Sequence, residues 1–179
     1  RVMHVSSFSK CLAPGYRIGW VAAGRYAGLI QRQKLSTSLA TTVPVQIALA
    51  EYLKHGAYEN HLRHLRRSLA AQEAALVEAV EAHFPAGTRL ARPEGGYFLW
   101  VELPRRVDAL ALHRQALAQG ISLAPGPIFS AKREFGHCIR LNFGHPIDDR
   151  ARDAVRALGQ LLVEQGDGGK SVPMKNDTG

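Results

Sequence analysis

The chain has 179 residues, 46% of them hydrophobic, with 23 Lys and Arg against 15 Asp and Glu for a formal net charge of +8. That length can bury a core in one domain or one and a half, and the ordinary apolar content points to a mostly globular chain. No apolar run is long enough to span a bilayer, and the start Arg-Val-Met-His-Val-Ser-Ser lacks the pattern of a secretory signal, so neither a membrane protein nor a secreted one is expected.

The pattern along the chain alternates. Residues 2–8 and 17–23 read as two short strands close enough to be neighbours in one sheet. Residues 25–40 read as helical, and Pro44 opens a second helix to Lys54 that Gly56 stops. A long helix is expected over 58–84, closed by Pro85 and Gly87. It contains the densest basic stretch, His61 to Arg67, but Leu62, Leu65, Leu69, Leu76 and Val80 form an apolar stripe at helical spacing, so the arginines fall on a solvated face. Nothing interleaves aromatics with base as single-strand binders do.

Two strands follow, 89–92 and 97–103, joined by the hairpin chemistry of Pro93-Glu-Gly-Gly96. Asp108 caps a helix that runs to Gln119 and ends at Gly120. Residues 121–124 and 138–143 read as strands, and Asp148 or Asp149 starts a last helix to Glu164. The tail 166–179 reads as disordered. Residues 58–165 therefore form a compact α+β unit, whereas two strands and two helices in 1–57 cannot cover both faces of a sheet. The chain is expected to be the C-terminal piece of something larger.

Chemistry is most legible in Ser6-Ser-Phe-Ser-Lys-Cys-Leu-Ala-Pro-Gly-Tyr-Arg-Ile-Gly-Trp20. Lys10 is crowded by hydroxyls, and a Pro-Gly turn separates it from Arg17. Such a segment can hold a phosphate with Ser7, Ser9 and Arg17 while presenting an amine, which is what a phosphorylated aldehyde requires. The plainer alternatives are a surface lysine, a strand-edge ion pair at Arg17, and serines that satisfy the loop backbone. Arg140 lies among apolar Ile139, Leu141 and Phe143, so it needs a carboxylate, either a ligand's or one of the chain's own. Pro125-Gly126 and Phe129 either approach a substrate channel or form a plain turn. Cys11 and Cys138 make no close pair, no metal site is expected from their spacing with His, and a reducing cytoplasm is the expected location.

These motifs resemble the fold-type I pyridoxal-phosphate enzymes, the aspartate-aminotransferase-like class I/II group. The resemblance runs over about residues 2–163. It is carried by the Lys10 segment, then by Pro93-Glu-Gly-Gly-Tyr-Phe-Leu-Trp-Val-Glu-Leu-Pro104, Gly120-Ile-Ser-Leu-Ala-Pro-Gly-Pro-Ile-Phe129 and Cys138-Ile-Arg-Leu-Asn-Phe143, in the group's order. Within the group the chain is similar to the MocR regulators, whose aminotransferase-like domain follows a GntR-type winged helix. The wording is shared with stand-alone aminotransferases of the 2-aminoadipate type.

The resemblance implies an α/β fold: the C-terminal part of a PLP-dependent transferase, with residues 1–57 at the edge of the large-domain sheet and 58–165 as the small domain. It implies pyridoxal 5'-phosphate as cofactor, Lys10 as Schiff-base anchor and proton carrier, Ser7, Ser9 and Arg17 at the phosphate, and Arg140 at the α-carboxylate of an amino-acid substrate or effector. It also implies a homodimer, no membrane partner, and DNA contact only through a domain outside this chain. The group's acid for the pyridine nitrogen and its ring-stacking aromatic precede the lysine, so this segment alone is not expected to transaminate. The implied function is amino-acid binding by aldimine exchange in a MocR-type effector domain. A stand-alone aminotransferase and a non-catalytic remnant are the alternatives.

Overall fold

The computed structural model describes residues 2–167. The chain divides into two units, Arg1–Arg67 and Ser68–Gly179, and the division falls inside one long helix.

The first unit begins with an antiparallel ribbon of β1 (His4–Ser7) and β2 (Gly19–Ala22), registered from His4↔Ala22 to Ser7↔Gly19. The two expected strands are thus paired, and shorter than expected. Ser6 is why residue 19 is glycine: a Cβ there would stand 2.7 Å from the Ser6 carbonyl oxygen. The connecting loop holds a 3-10 turn at Pro14–Tyr16. After a second 3-10 turn at Gly24–Tyr26 come α1 (Ala27–Ser38), α2 (Val43–Lys54), with Pro44 in its first turn, and the start of α3 (Ala57–His83). Among the described residues only Ile18, Ala23 and Leu49 are buried hydrophobics here, while Val5, Trp20, Val21, Leu35 and Ile47 are exposed. The ribbon leaves both its faces open.

The second unit contains the rest of α3, β3 (Arg89–Ala91), β4 (Phe98–Glu102), α4 (Ala109–Ala118), β5 (Ala124–Pro125), β6 (Cys138–Asn142) and α5 (Asp149–Asp167). The strands form one antiparallel sheet in the order β3-β4-β6-β5. Its inward residues Leu99, Val101, Ile139 and Leu141 join a core with Leu76 and Val80 of α3, Leu112 and Ala116 of α4, and Leu158 and Leu162 of α5. The result is the two-layer arrangement of an α+β unit. At Gly159 the α5 backbone comes so close to the end of α3 that a Cβ would stand 2.3 Å from the His83 carbonyl oxygen.

Helix ends follow local chemistry. Asp108 caps α4 by accepting from the Leu110 and Ala111 amides at 2.8 and 3.2 Å, and Asp148 accepts from the Ala151 amide at 2.9 Å at the start of α5. The strand expected over 121–124 is a correction. Ile121 N–H is bonded to the Ala116 carbonyl at 2.9 Å and Gly120 N–H to Leu117 at 2.9 Å, with Gly120 at φ 75°, so the helix cap consumes the start of that run. Only Ala124 and Pro125 pair, at the sheet's edge, where a proline is tolerated. Gly166 and Asp167, expected in the tail, lie in α5, and residues 168–179 are outside the described residues. No helix among the described residues is long and apolar enough to cross a membrane.

Candidate functional site

The Lys10 segment is shaped by the ribbon and by the turn that ends it. Phe8 N–H bonds to the Ile18 carbonyl at 2.9 Å, and the amides of Leu12 and Ala13 return to the Phe8 carbonyl at 2.9 and 3.1 Å. Lys10 therefore sits on a tight hydrogen-bonded loop at the mouth of the ribbon. The 3-10 turn stops at Arg17, whose backbone is left-handed at φ 50° and ψ 36°. A non-glycine residue there costs free energy, and the turn it makes brings the guanidinium back over the loop. Arg17 Nη1 donates to Ser9 Oγ at 3.1 Å and to the Pro14 carbonyl at 3.5 Å.

Ser7 works differently. Its hydroxyl accepts from the Ser9 amide at 3.1 Å and donates to the Ile18 carbonyl at 3.3 Å. Ser9 and Arg17 thus meet through side chains, while the Ser7 hydroxyl orders the loop backbone. Lys10 and Arg17 are exposed and Ser9 is half-buried. One loop carries an amine, a guanidinium and two hydroxyls, a donor set suited to a phosphate ester with a carbonyl nearby.

Two residues from α3 reach this loop, and sequence reasoning did not find them. His61 Nε2–H donates to the Cys11 carbonyl at 2.9 Å, and the Tyr58 hydroxyl lies 3.1 Å from Cys11 Sγ. The Tyr58 ring also packs edge-on against Phe8 and Tyr52. Burial, then the contact with the Cys11 thiol, push the Tyr58 hydroxyl up to about 12, so it stays protonated. Their spacing of three puts Tyr58 and His61 on one helix face, a signal visible in the sequence, but nothing local says which loop that face meets.

Arg140 belongs to the second unit, on β6 opposite Trp100 of β4 and Ala124 of β5. Its guanidinium carbon lies 3.9 Å from the centroid of the Phe98 ring and 4.4 Å from that of Phe129. Phe129 is held edge-on by Trp100 at 5.8 Å, and Trp100 by Phe135 at 5.6 Å. Among the described residues no carboxylate lies within ion-pairing distance of Arg140. Phe98 was missed from the sequence, whereas Phe129 was open between a channel and a turn; in the structure it closes a 3-10 turn and covers the arginine. Burial raises the Cys138 thiol, as does Glu102 nearby, which leaves it a poor nucleophile. No cluster of metal-ligating side chains occurs among the described residues.

The fold is that of the aminotransferases. The chain matches multiple substrate aminotransferase from Thermococcus profundus with a TM-score of 0.85 and 31% identity, over 93% of this chain and 41% of that one. It also matches LysN, the alpha-aminoadipate aminotransferase from Thermus thermophilus complexed with N-(5'-phosphopyridoxyl)-L-leucine, with a TM-score of 0.82 and 30% identity over 92% of this chain and 42% of that one. The class I and II aminotransferase family model matches residues 1–158, and the chain belongs to that family. Among curated relatives, the HTH-type transcriptional regulator YdcR of Escherichia coli (strain K12) is 44% identical over 164 residues, 92% of this chain. The chain spans 35% of the length of that relative.

Proposed function

We propose that this chain is the aminotransferase-like effector domain of a MocR-type transcription regulator and binds pyridoxal phosphate and an amino acid. The observation that carries the cofactor reading is the Arg17 guanidinium 3.1 Å from the Ser9 hydroxyl on the loop of Lys10. The likeness to YdcR supports the regulator reading. In this assignment residues 1–57 close the cofactor-binding domain and 58–165 form the small domain. DNA is read by a segment outside this chain, two copies pair, and the regulator works in the cytoplasm.

Pyridoxal phosphate, when bound, supplies a carbonyl that condenses with amines and a ring that draws electrons from the Cα of a bound amino acid. Lys10 would be the amine that holds this carbonyl, with loss of water, and its Nζ would be the group that moves the proton at Cα. Arg17 grips the phosphate through its planar fork and keeps its charge while doing so. Ser9 adds a hydroxyl donor, and Ser7 orders the loop that aims both. Arg140 takes the α-carboxylate of the amino acid.

The test uses the intact protein reconstituted with pyridoxal phosphate and with pyridoxal. Wild type gains the visible absorbance of a lysine-bound cofactor, and Lys10→Ala gains none. Arg17→Ala weakens pyridoxal phosphate by about tenfold or more, the loss expected for a charge-assisted contact, and leaves pyridoxal unchanged. Equal binding of both compounds by wild type and Arg17→Ala would remove the phosphate assignment. The likeness to the two aminotransferase structures favours a second reading, a stand-alone enzyme. Sustained turnover of an amino acid with a keto acid selects it, and amino-acid-dependent DNA binding without turnover selects the regulator.

A further inference from the structure

Lys10 is bracketed by two residues that α3 holds. Phe8, two positions before it, packs its ring edge-on against Tyr58 at 5.8 Å. Cys11, one position after it, is met at backbone and side chain: His61 Nε2 lies 2.9 Å from the carbonyl oxygen, and the Tyr58 hydroxyl 3.1 Å from Sγ. A carbonyl only accepts, so Nε2 carries the proton, and this bond persists whether the ring is neutral or protonated. The Cys11 thiol in turn reaches the Ser7 carbonyl at 3.4 Å, which leaves the Tyr58 hydroxyl as the donor to sulfur.

The turn between these two anchors is closed on itself. The Phe8 carbonyl accepts from the Leu12 and Ala13 amides at 2.9 and 3.1 Å, and Lys10 stands inside that closure. Tyr58 is itself fixed, because Tyr52 of α2 packs edge-on against it and donates its hydroxyl to the Ala57 carbonyl at 3.4 Å. Anchors on both sides of one residue restrain its Cα more than either does alone. An amine that must meet a carbonyl carbon gains most from this, since a displacement of about 1 Å can cost about a hundredfold in rate.

We propose that Tyr58 and His61 are positioning residues for Lys10, holding Phe8 and Cys11 so that the amine between them is presented to the cofactor carbonyl. Both act through the loop. This inference rests on the assignment of Lys10 as the amine that holds the cofactor.

The experiment measures pyridoxal phosphate affinity of the intact protein by equilibrium dialysis, for His61→Leu and Tyr58→Phe, each with Lys10 present and in Lys10→Ala. His61→Leu keeps an apolar bulk without the donor, and Tyr58→Phe keeps the ring on Phe8 without the hydroxyl. With Lys10 present, His61→Leu is expected to weaken binding about tenfold, and Tyr58→Phe about threefold because sulfur is a weak acceptor. In Lys10→Ala neither changes the affinity, because what remains of binding does not use the amine. His61→Gln, which keeps an N–H donor at similar reach, restores the affinity. Equal losses with and without Lys10 mark a purely structural role and overturn the proposal, as does no loss in either variant or no rescue by Gln. Hydrogen exchange at the Leu12 and Ala13 amides of the cofactor-free protein reads the clamp by itself. About tenfold faster exchange in His61→Leu is expected, and unchanged rates overturn the clamp. Equal pyridoxal phosphate affinity in wild type and Lys10→Ala overturns the Lys10 assignment instead, a distinct result.

Discussion

Cys11, the residue after Lys10, is tied at two atoms: its carbonyl by His61 and its thiol by Tyr58. The thiol also lies 3.4 Å from the Ser7 carbonyl, so a consistent chain runs from the Tyr58 hydroxyl to the thiol and from the thiol to Ser7. Tyr58 is held protonated by burial and by this contact, its hydroxyl raised from 10.0 to about 12. Because the folded value lies above the unfolded one, the associated stability is complete below about pH 10 and is lost as pH rises toward 12. A phenolate absorbance titration should show one tyrosine ionising late in wild type and missing from the curve of Tyr58→Phe. Arg17 shows a second restraint of this scale. Its left-handed backbone is tolerated because the guanidinium finds two acceptors there, Ser9 Oγ and the Pro14 carbonyl.

At the scale of elements, local chemistry set most boundaries. Asp108 is exposed at the end of a loop yet holds two amides of α4, and Pro93-Glu-Gly-Gly96 turns β3 into β4 as expected. Asp108→Ala should lower stability by about 1 kcal/mol, whereas Asp108→Asn, an equally good cap, should cost far less. Denaturant midpoints of the two variants check this. The run 121–124 failed as a strand for an equally local reason that propensity does not register: the amide of Ile121 already serves the helix before it. Its apolar alternation was real, because Leu123 is buried in the core, but only Ala124 and Pro125 reach the ladder.

At the scale of the molecule, burial is uneven. The core cluster lies wholly in the second unit, with Leu99, Ala109, Leu112, Ala116, Ile139 and Leu162 fully buried, while the first unit buries three hydrophobic residues among those described. Hydrogen exchange on this 179-residue chain should therefore be slowest at the amides of β4, β6, α4 and α5, and fast in β1, α1 and α2. Protection of β1 equal to that of β6 would contradict this. Leu112→Ala should cost about 2–5 kcal/mol, since its site is sealed on all sides; the shift of the denaturant midpoint measures it.

What could be read from the chain alone is what short-range sterics and periodicity control. Helix caps, the proline and glycine stops, the hairpin turn, and the grouping of Ser9, Lys10 and Arg17 within one loop all lie within a few residues of one another. The face that Tyr58 and His61 present, and the rings that meet Arg140, were set otherwise. Cys11 and Tyr58 are 47 positions apart, and Phe98 reaches Arg140 only because β4 and β6 pair in one particular register. A register is fixed by which faces the core buries, and a shift of one residue would turn Arg140 to the opposite side. Sequence named the cations; burial and strand pairing decided what surrounds them.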